Sequence, residues 1–311
     1  MHRESIVFME SHEGCLLFAP DAILAVTNAA ADVTYSEGAD YLVDPGARRL
    51  VRPAGSRMPA TSPESIASAD GALLHHRTVS VTYTHSASVR LQADLGCDSW
   101  TLPRVTARLN RRAPVTICLT GDSISEGYDV SGFHRVPPYQ PAFGQLVAIG
   151  LEQQYGAPVR LHNLATAGWT AANAVWDAPR IAALAPDLVI IAFGMNDACY
   201  AEAGEFAGNV SSVMQRVRAD VADVEFVIVS PMLPTPECSW VIPARFAEYR
   251  AALAGLTGEG VALADVTSLW TELVARKTPY DLSVNGLNHP NDFGHRFYAH
   301  AILDRLLVWR T

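Results

Sequence analysis

The stretch Val115-Thr-Ile-Cys-Leu-Thr120-Gly121-Asp122-Ser123-Ile124-Ser125-Glu126-Gly127 decides how the rest of the chain is read. Residues 115–120 form a short, largely apolar run that stops at a glycine. Such a run has strand length, and a strand without clean alternation is covered on both faces, as in a parallel sheet. Comparable runs recur at 159–163, 188–193, 226–230 and 261–264. Helix-length segments lie between and after them, roughly at 142–155, 170–185, 205–220, 243–257 and 292–307. Five such β–α units predict a three-layer α/β/α domain over residues 113–311.

Upstream the rhythm is different. Short segments at 5–9, 22–26, 32–35, 41–43, 78–83, 88–93 and 105–109 are separated by Gly38, Pro45-Gly46, Pro53, Gly55, Pro59 and Pro63. In Thr78-Val-Ser-Val-Thr-Tyr83 apolar and polar residues alternate, and β-branched types dominate, the pattern of a half-buried antiparallel strand. Several short strands with frequent turns predict a β-sandwich over residues 1–112. Arg111-Arg112-Ala113-Pro114 is read as the hinge.

Composition narrows the function classes. The 311 residues are 49% hydrophobic and 18% charged, enough to bury full cores. With 23 basic and 32 acidic residues the net charge is −9, so the chain repels phosphate backbones and nucleic acid is not an expected partner. Lys277 is the only lysine, which speaks against a basic membrane patch, and no run approaches the roughly 18 apolar residues of a membrane helix. Acids interrupt the first residues, so no signal-peptide core can be drawn and a cytoplasmic location is expected. Cys15, Cys97, Cys118, Cys199 and Cys238 are widely spaced and contain no C-x-x-C, so they read as free thiols and not as a zinc cluster. Nothing in the sequence sets an oligomeric state.

Ligands of open parallel sheets bind beyond the carboxyl ends of the strands. Those ends offer Ser123 after the first run, Gly168 after the second, Asn196 after the third, and His289 just ahead of the last helix. Acyl transfer needs a nucleophile, a base and donors for an oxyanion, and this set supplies all three. Ser123 would attack and His289 would take its proton. The backbone N–H groups of Ser123 and Gly168 and the amide of Asn196 would hold the anion. No cofactor or metal is required. Asp122, Asp197 and Asp292 are read as structural, with Asp292 as the cap of the last helix. The Gly- and Pro-containing segment 131–139 reads as a loop over the site.

Gly121-Asp122-Ser123-Ile124, Gly168, Gly194-Met195-Asn196-Asp197 and His289-Pro290-Asn291, in this order, resemble the blocks of the SGNH hydrolases, the GDSL-type esterases. The resemblance implies a flavodoxin-like sheet behind a jelly-roll-like β-sandwich. It also implies Ser123 as nucleophile, His289 as base and the oxyanion hole named above. It further implies a small-molecule or carbohydrate ester as substrate, short-chain and foremost acetyl. The family's D-x-x-H places an Asp three residues before the His, where this chain has Gly286. Asp281, a backbone carbonyl of the loop, or Asn285 could orient the imidazole instead. An acyltransferase would use the same Ser123 and His289, and the missing Asp leaves a catalytically inactive sugar-binding module as a further reading. An α/β-hydrolase is excluded, because Ser125 stands where G-x-S-x-G needs its second glycine.

Overall fold

A computed structural model of the chain describes residues 1–10, 12–62, 65, 75–87 and 101–307. The segment 88–93, read as a strand, and Cys97 lie outside the described residues. Six described strands precede residue 101: β1 (Glu4–Ile6), β2 (Glu13–Cys15), β3 (Ala22–Asn28), β4 (Leu42–Asp44), β5 (Arg49–Val51) and β6 (Val79–Thr84). They form two three-stranded antiparallel sheets, β1-β6-β3 and β2-β5-β4. Val79, Val81 and Tyr83 of β6 are buried and join Ile6, Phe8 and Leu50 in the core. The expected strand at 32–35 contributes only an isolated bridge, Thr27 to Thr34.

The segment 105–109, expected as a strand, is instead part of helix α1 (Pro103–Asn110). Pro103 suits the first helical turn, where its missing N–H costs nothing. Val105 and Leu109 stand four residues apart and bury one face. The carboxylate of Glu225 accepts from Arg104 N at 3.0 Å and Val105 N at 2.8 Å, satisfying two end amides of α1.

Beyond α1, strands β7 (Val115–Gly121), β8 (Val159–Asn163), β9 (Leu188–Ala192), β10 (Glu225–Val229) and β11 (Val261–Ala264) form one parallel sheet in the order β11-β10-β9-β7-β8. This is the flavodoxin-like arrangement, and its switch point lies between β7 and β9. Every residue of β9 and β10 is buried, as continuous apolar strands between helices require. Helices α2 (Ser123–Glu126), α3 (Phe143–Tyr155), α4 (Ala171–Ala182), α5 (Ala203–Asp220), α6 (Ala244–Ala254), α7 (Val266–Val274) and α8 (Asp292–Leu303) connect and cover the sheet. α3 packs on α8, α4 on α5, and α5 on α6. The sequence reading has no counterpart of α7, which Asp265 caps by accepting from Ser268 N at 3.0 Å. Asn291, not Asp292, caps α8, its side chain accepting from Gly294 N at 3.0 Å.

The two parts meet along a polar seam at β1. Lys277 Nζ, fully buried, donates to Glu4 Oε1 and to Cys15 O at 2.7 Å each and lies 3.6 Å from Asp281 Oδ2. Glu4 also accepts from Leu17 N at 2.8 Å and from the Tyr83 hydroxyl at 2.7 Å. Burial works against the ammonium, but Asp281 and Glu4 outweigh it and hold the Lys277 pKa above its ordinary value.

Candidate active site

Ser123 is the first residue of α2, at the carboxyl end of β7. Asp122 caps the turn, its carboxylate accepting from Ile124 N at 3.0 Å. Complete burial pushes the Asp122 carboxyl up to about 7. Gly121 is required by close approach, since a Cβ there would stand 2.1 Å from Ser125 Oγ and 2.5 Å from Ala192 O. The end of β7 therefore rests directly on β9, which leaves Ser123 at the switch point.

The loops after β8 and β9 are laced to this turn. Thr166 N donates to Gly121 O at 3.0 Å, and Ala167 N to Glu126 Oε2 at 2.8 Å. Gly168 follows in left-handed backbone, φ +79°, a conformation that glycine adopts without strain. Asn196 Nδ2 donates to Trp169 O at 2.9 Å, which fixes the amide, and among the described residues its second N–H has no partner. Asp197, next in the chain, accepts from Ala171 N at 3.0 Å and ties the β9 loop to the start of α4. Burial pushes its carboxyl up to about 6.

His289 arrives from a loop 166 residues downstream, and its Nε2 stands 3.0 Å from Ser123 Oγ. Its other nitrogen, Nδ1, lies 2.6 Å from Asp129 Oδ2. Burial opposes ionisation of Asp129, but hydrogen bonds and charge from His289 and His134 prevail, and its carboxyl lies below the ordinary range. The carboxylate is thus an acceptor, and Nδ1 donates to it. That tautomer leaves Nε2 free to accept the Ser123 proton.

The group beside Nδ1 is therefore none of the three expected. Asp281 faces the seam, where its carboxylate accepts from Val7 N at 2.7 Å and Thr278 N at 3.2 Å. Its backbone carbonyl accepts from Ser5 Oγ, and from Asn291 Nδ2 at 2.9 Å. Asn285 Oδ1 accepts from the backbone amides of Leu287, Asn288 and His289 at 3.0–3.1 Å, so it shapes the loop and not the imidazole. The carboxylate that stands beside Nδ1 is that of Asp129, six residues after Ser123.

The sequence reading missed Asp129 and, next to it, His134, whose Nε2 lies 3.0 Å from Asp129 Oδ1. A signal was present: an acid shortly after the Ser123 turn, just ahead of the loop read as covering the site. Asp129 has left-handed backbone, φ 70°, which Asp tolerates better than most residues. The loop it starts is pinned to α8, with Ser131 N donating to Asp292 Oδ1 at 2.9 Å and Gln140 Nε2 to Asp292 O at 2.6 Å. From the N-terminal part, His75 Nε2 donates to Pro137 O at 2.6 Å. His295 is buried in α8, where its Nδ1 accepts from Phe143 N, and burial lowers its pKa to about 3. Cys15, Cys118, Cys199 and Cys238 are free thiols. Among the described residues no helix is long and apolar enough to cross a membrane.

Comparison with known proteins bears on this geometry. Among solved structures, a two-domain esterase (CEX) active on acetylated mannans has a TM-score of 0.54 at 20% identity, covering 67% of this chain and 52% of that one. The chain thus spans about half the length of that esterase. A variant of Axe2, an acetyl-xylooligosaccharide esterase from Geobacillus Stearmophilus, has a TM-score of 0.52 at 19% identity, covering 63% of this chain and 97% of that one. A GDSL-like lipase from Parabacteroides merdae has a TM-score of 0.52 at 16% identity, covering 62% and 95%. These likenesses concern the fold. No curated protein sequence matches the chain. The model of the GDSL-like lipase/acylhydrolase family, however, matches residues 119–297, more than half of the chain and the whole stretch from Ser123 to His289. On that match the chain belongs to the GDSL-like lipase/acylhydrolase family.

Proposed function

We propose that the protein is a serine esterase that removes short acyl groups, foremost acetyl, from carbohydrate. The observation that carries this reading is the unbroken chain from Ser123 Oγ through both nitrogens of His289 to Asp129, with contacts of 3.0 and 2.6 Å. Ser123 attacks the ester carbonyl while His289 Nε2 accepts its proton. Asp129 stabilises the imidazolium that forms and keeps the ring in register. The oxyanion is held by Ser123 N–H, Gly168 N–H and the unspent amide N–H of Asn196. His289 then returns the proton to the leaving sugar hydroxyl. Water, deprotonated in the same way, hydrolyses the acyl-enzyme, and no metal or organic cofactor takes part.

The carbohydrate assignment draws on two supports. Two of the structural relatives act on acetylated mannans and acetyl-xylooligosaccharides. The rim beside His289 also exposes aromatic faces, with Tyr128 38% accessible and its ring 5.7 Å from the imidazole, and Phe133 43% accessible. Aromatic rings combine a large apolar face with little conformational entropy, which suits the faces of sugar rings. The test is a series of p-nitrophenyl esters of rising acyl length, run beside acetylated mannan and xylan oligosaccharides. We expect kcat/KM to fall from acetyl onward, acetate to be released from the oligosaccharides, and Ser123→Ala to abolish both. A long-chain preference, or no acetate from either glycan, would refute the assignment.

A further inference from the structure

The loop of residues 128–139 holds a second imidazole in contact with the proposed acid, and this contact has no part in the scheme above. Asp129 Oδ2 is engaged by His289 Nδ1, and Asp129 Oδ1 by His134 Nε2 at 3.0 Å. His134 is held for this contact by a turn, with the Phe133 and His134 amides both donating to Val130 O, at 2.9 and 3.2 Å. Its ring meets Phe133 edge-on, centroids 5.4 Å apart. Phe133 packs on Tyr128 at 4.5 Å, and Tyr128 faces His289 at 5.7 Å. The contacts therefore close on themselves: His289, Asp129, His134, Phe133, Tyr128 and His289 again.

This closure answers a mechanical need. Asp129 lies in neither helix nor strand, and its left-handed φ gives it no repeating backbone support. A carboxylate bonded through one oxygen alone can turn about its Cβ–Cγ bond. A second donor on the other oxygen removes that freedom and also stabilises the negative charge. We infer that His134 is a positioning residue for the esterase reaction: it holds the Asp129 carboxylate so that Oδ2 stays on His289 while the imidazolium forms. The inference rests on the reading of Asp129 as the acid that orients His289.

The experiment is steady-state hydrolysis of p-nitrophenyl acetate by the full chain and its His134→Ala, His134→Gln, Asp129→Ala and Asp129→Ala/His134→Ala variants, each checked for folding by circular dichroism. Losing a hydrogen bond to a charged group predicts that His134→Ala lowers kcat about ten- to a hundredfold with KM unchanged. His134→Gln, whose amide N–H can take the place of Nε2–H, recovers most of that loss. In the Asp129→Ala background, His134→Ala adds nothing. Should His134→Ala not fold, His134→Leu fills the same space without a donor and makes the same comparison. Asp129→Ala at full activity would overturn the Asp129 reading and the inference with it. A costly Asp129→Ala beside an inert His134→Ala would overturn the inference alone. So would a His134→Ala loss that persists undiminished without Asp129, or that moves KM and not kcat.

Discussion

Asp129 and Asp281 are both shielded carboxylates next to the loop that carries His289, and they keep opposite company. Asp281 is only eight residues from His289 in the chain, yet its carboxylate faces β1 and Lys277. Asp129 is 160 residues away, yet one of its oxygens meets the imidazole at 2.6 Å. The turn after Ser123 carries the carboxylate that meets the imidazole, while the carboxylate nearer to His289 in the chain is engaged at the seam around β1. Asp281 is the nearer of the two along the chain, but the direction in which each loop returns decides which carboxylate the imidazole meets.

The largest effect that would break this contrast lies in catalysis. Asp129→Asn should lower kcat by about 10⁴, as loss of a triad acid does when the imidazole takes the wrong tautomer. Asp281→Asn should leave kcat per folded molecule near the parent value while lowering the melting temperature. Active-site titration alongside thermal unfolding separates the two quantities. Equal losses of kcat would erase the distinction between the two aspartates.

A smaller effect sharpens the other side. Lys277→Met leaves Glu4 and Asp281 buried without their cation, and removing one member of a buried ion pair costs about 3–5 kcal/mol. Urea unfolding should register a loss of that order. A loss below about 1 kcal/mol would mean that the seam's ions carry little of its stability.

The smallest expected effect concerns pH and a third carboxylate, on the turn between β7 and Ser123. Asp122 is raised in the folded protein from 3.8 to about 7 by burial. The folded state therefore holds this proton more tightly than the unfolded chain. Its contribution to stability is full below 3.8 and is lost as pH rises toward 7. Asp129, shifted the other way, contributes above the ordinary carboxylate range and loses its contribution in acid. Asp122→Asn keeps the acceptor for Ile124 N and should flatten the fall in melting temperature between about pH 4 and 7. An unchanged slope would show that Asp122 does not titrate in this range.

Much of the sheet was legible because buried parallel strands announce themselves as unbroken apolar runs. The placement of Ser123, Gly168 and Asn196 beyond strand ends and of His289 ahead of the last helix was legible from the strand and helix pattern. The contact of His289 with Asp129 was not, since it depends on a left-handed residue after α2 that swings the loop back toward α8. Helix α1 was misread because Val105, Ala107 and Leu109 alternate with Thr106 and Arg108 as in a short strand, while Val105 and Leu109 equally share one face of a helix. Helix α7 escaped because Leu269, Trp270 and Leu273 sit in a segment too short to show its period. The seam left one trace in the composition, a solitary lysine, which has no meaning until Glu4 and Asp281 are seen around it.

That solitary lysine has a practical consequence. Its ammonium is sealed from solvent, so a reagent that acylates lysine side chains finds none on the surface of the folded molecule. Modification of Lys277 then reports how often β1 lifts away from the residues around it, and its time course becomes a clock for that opening.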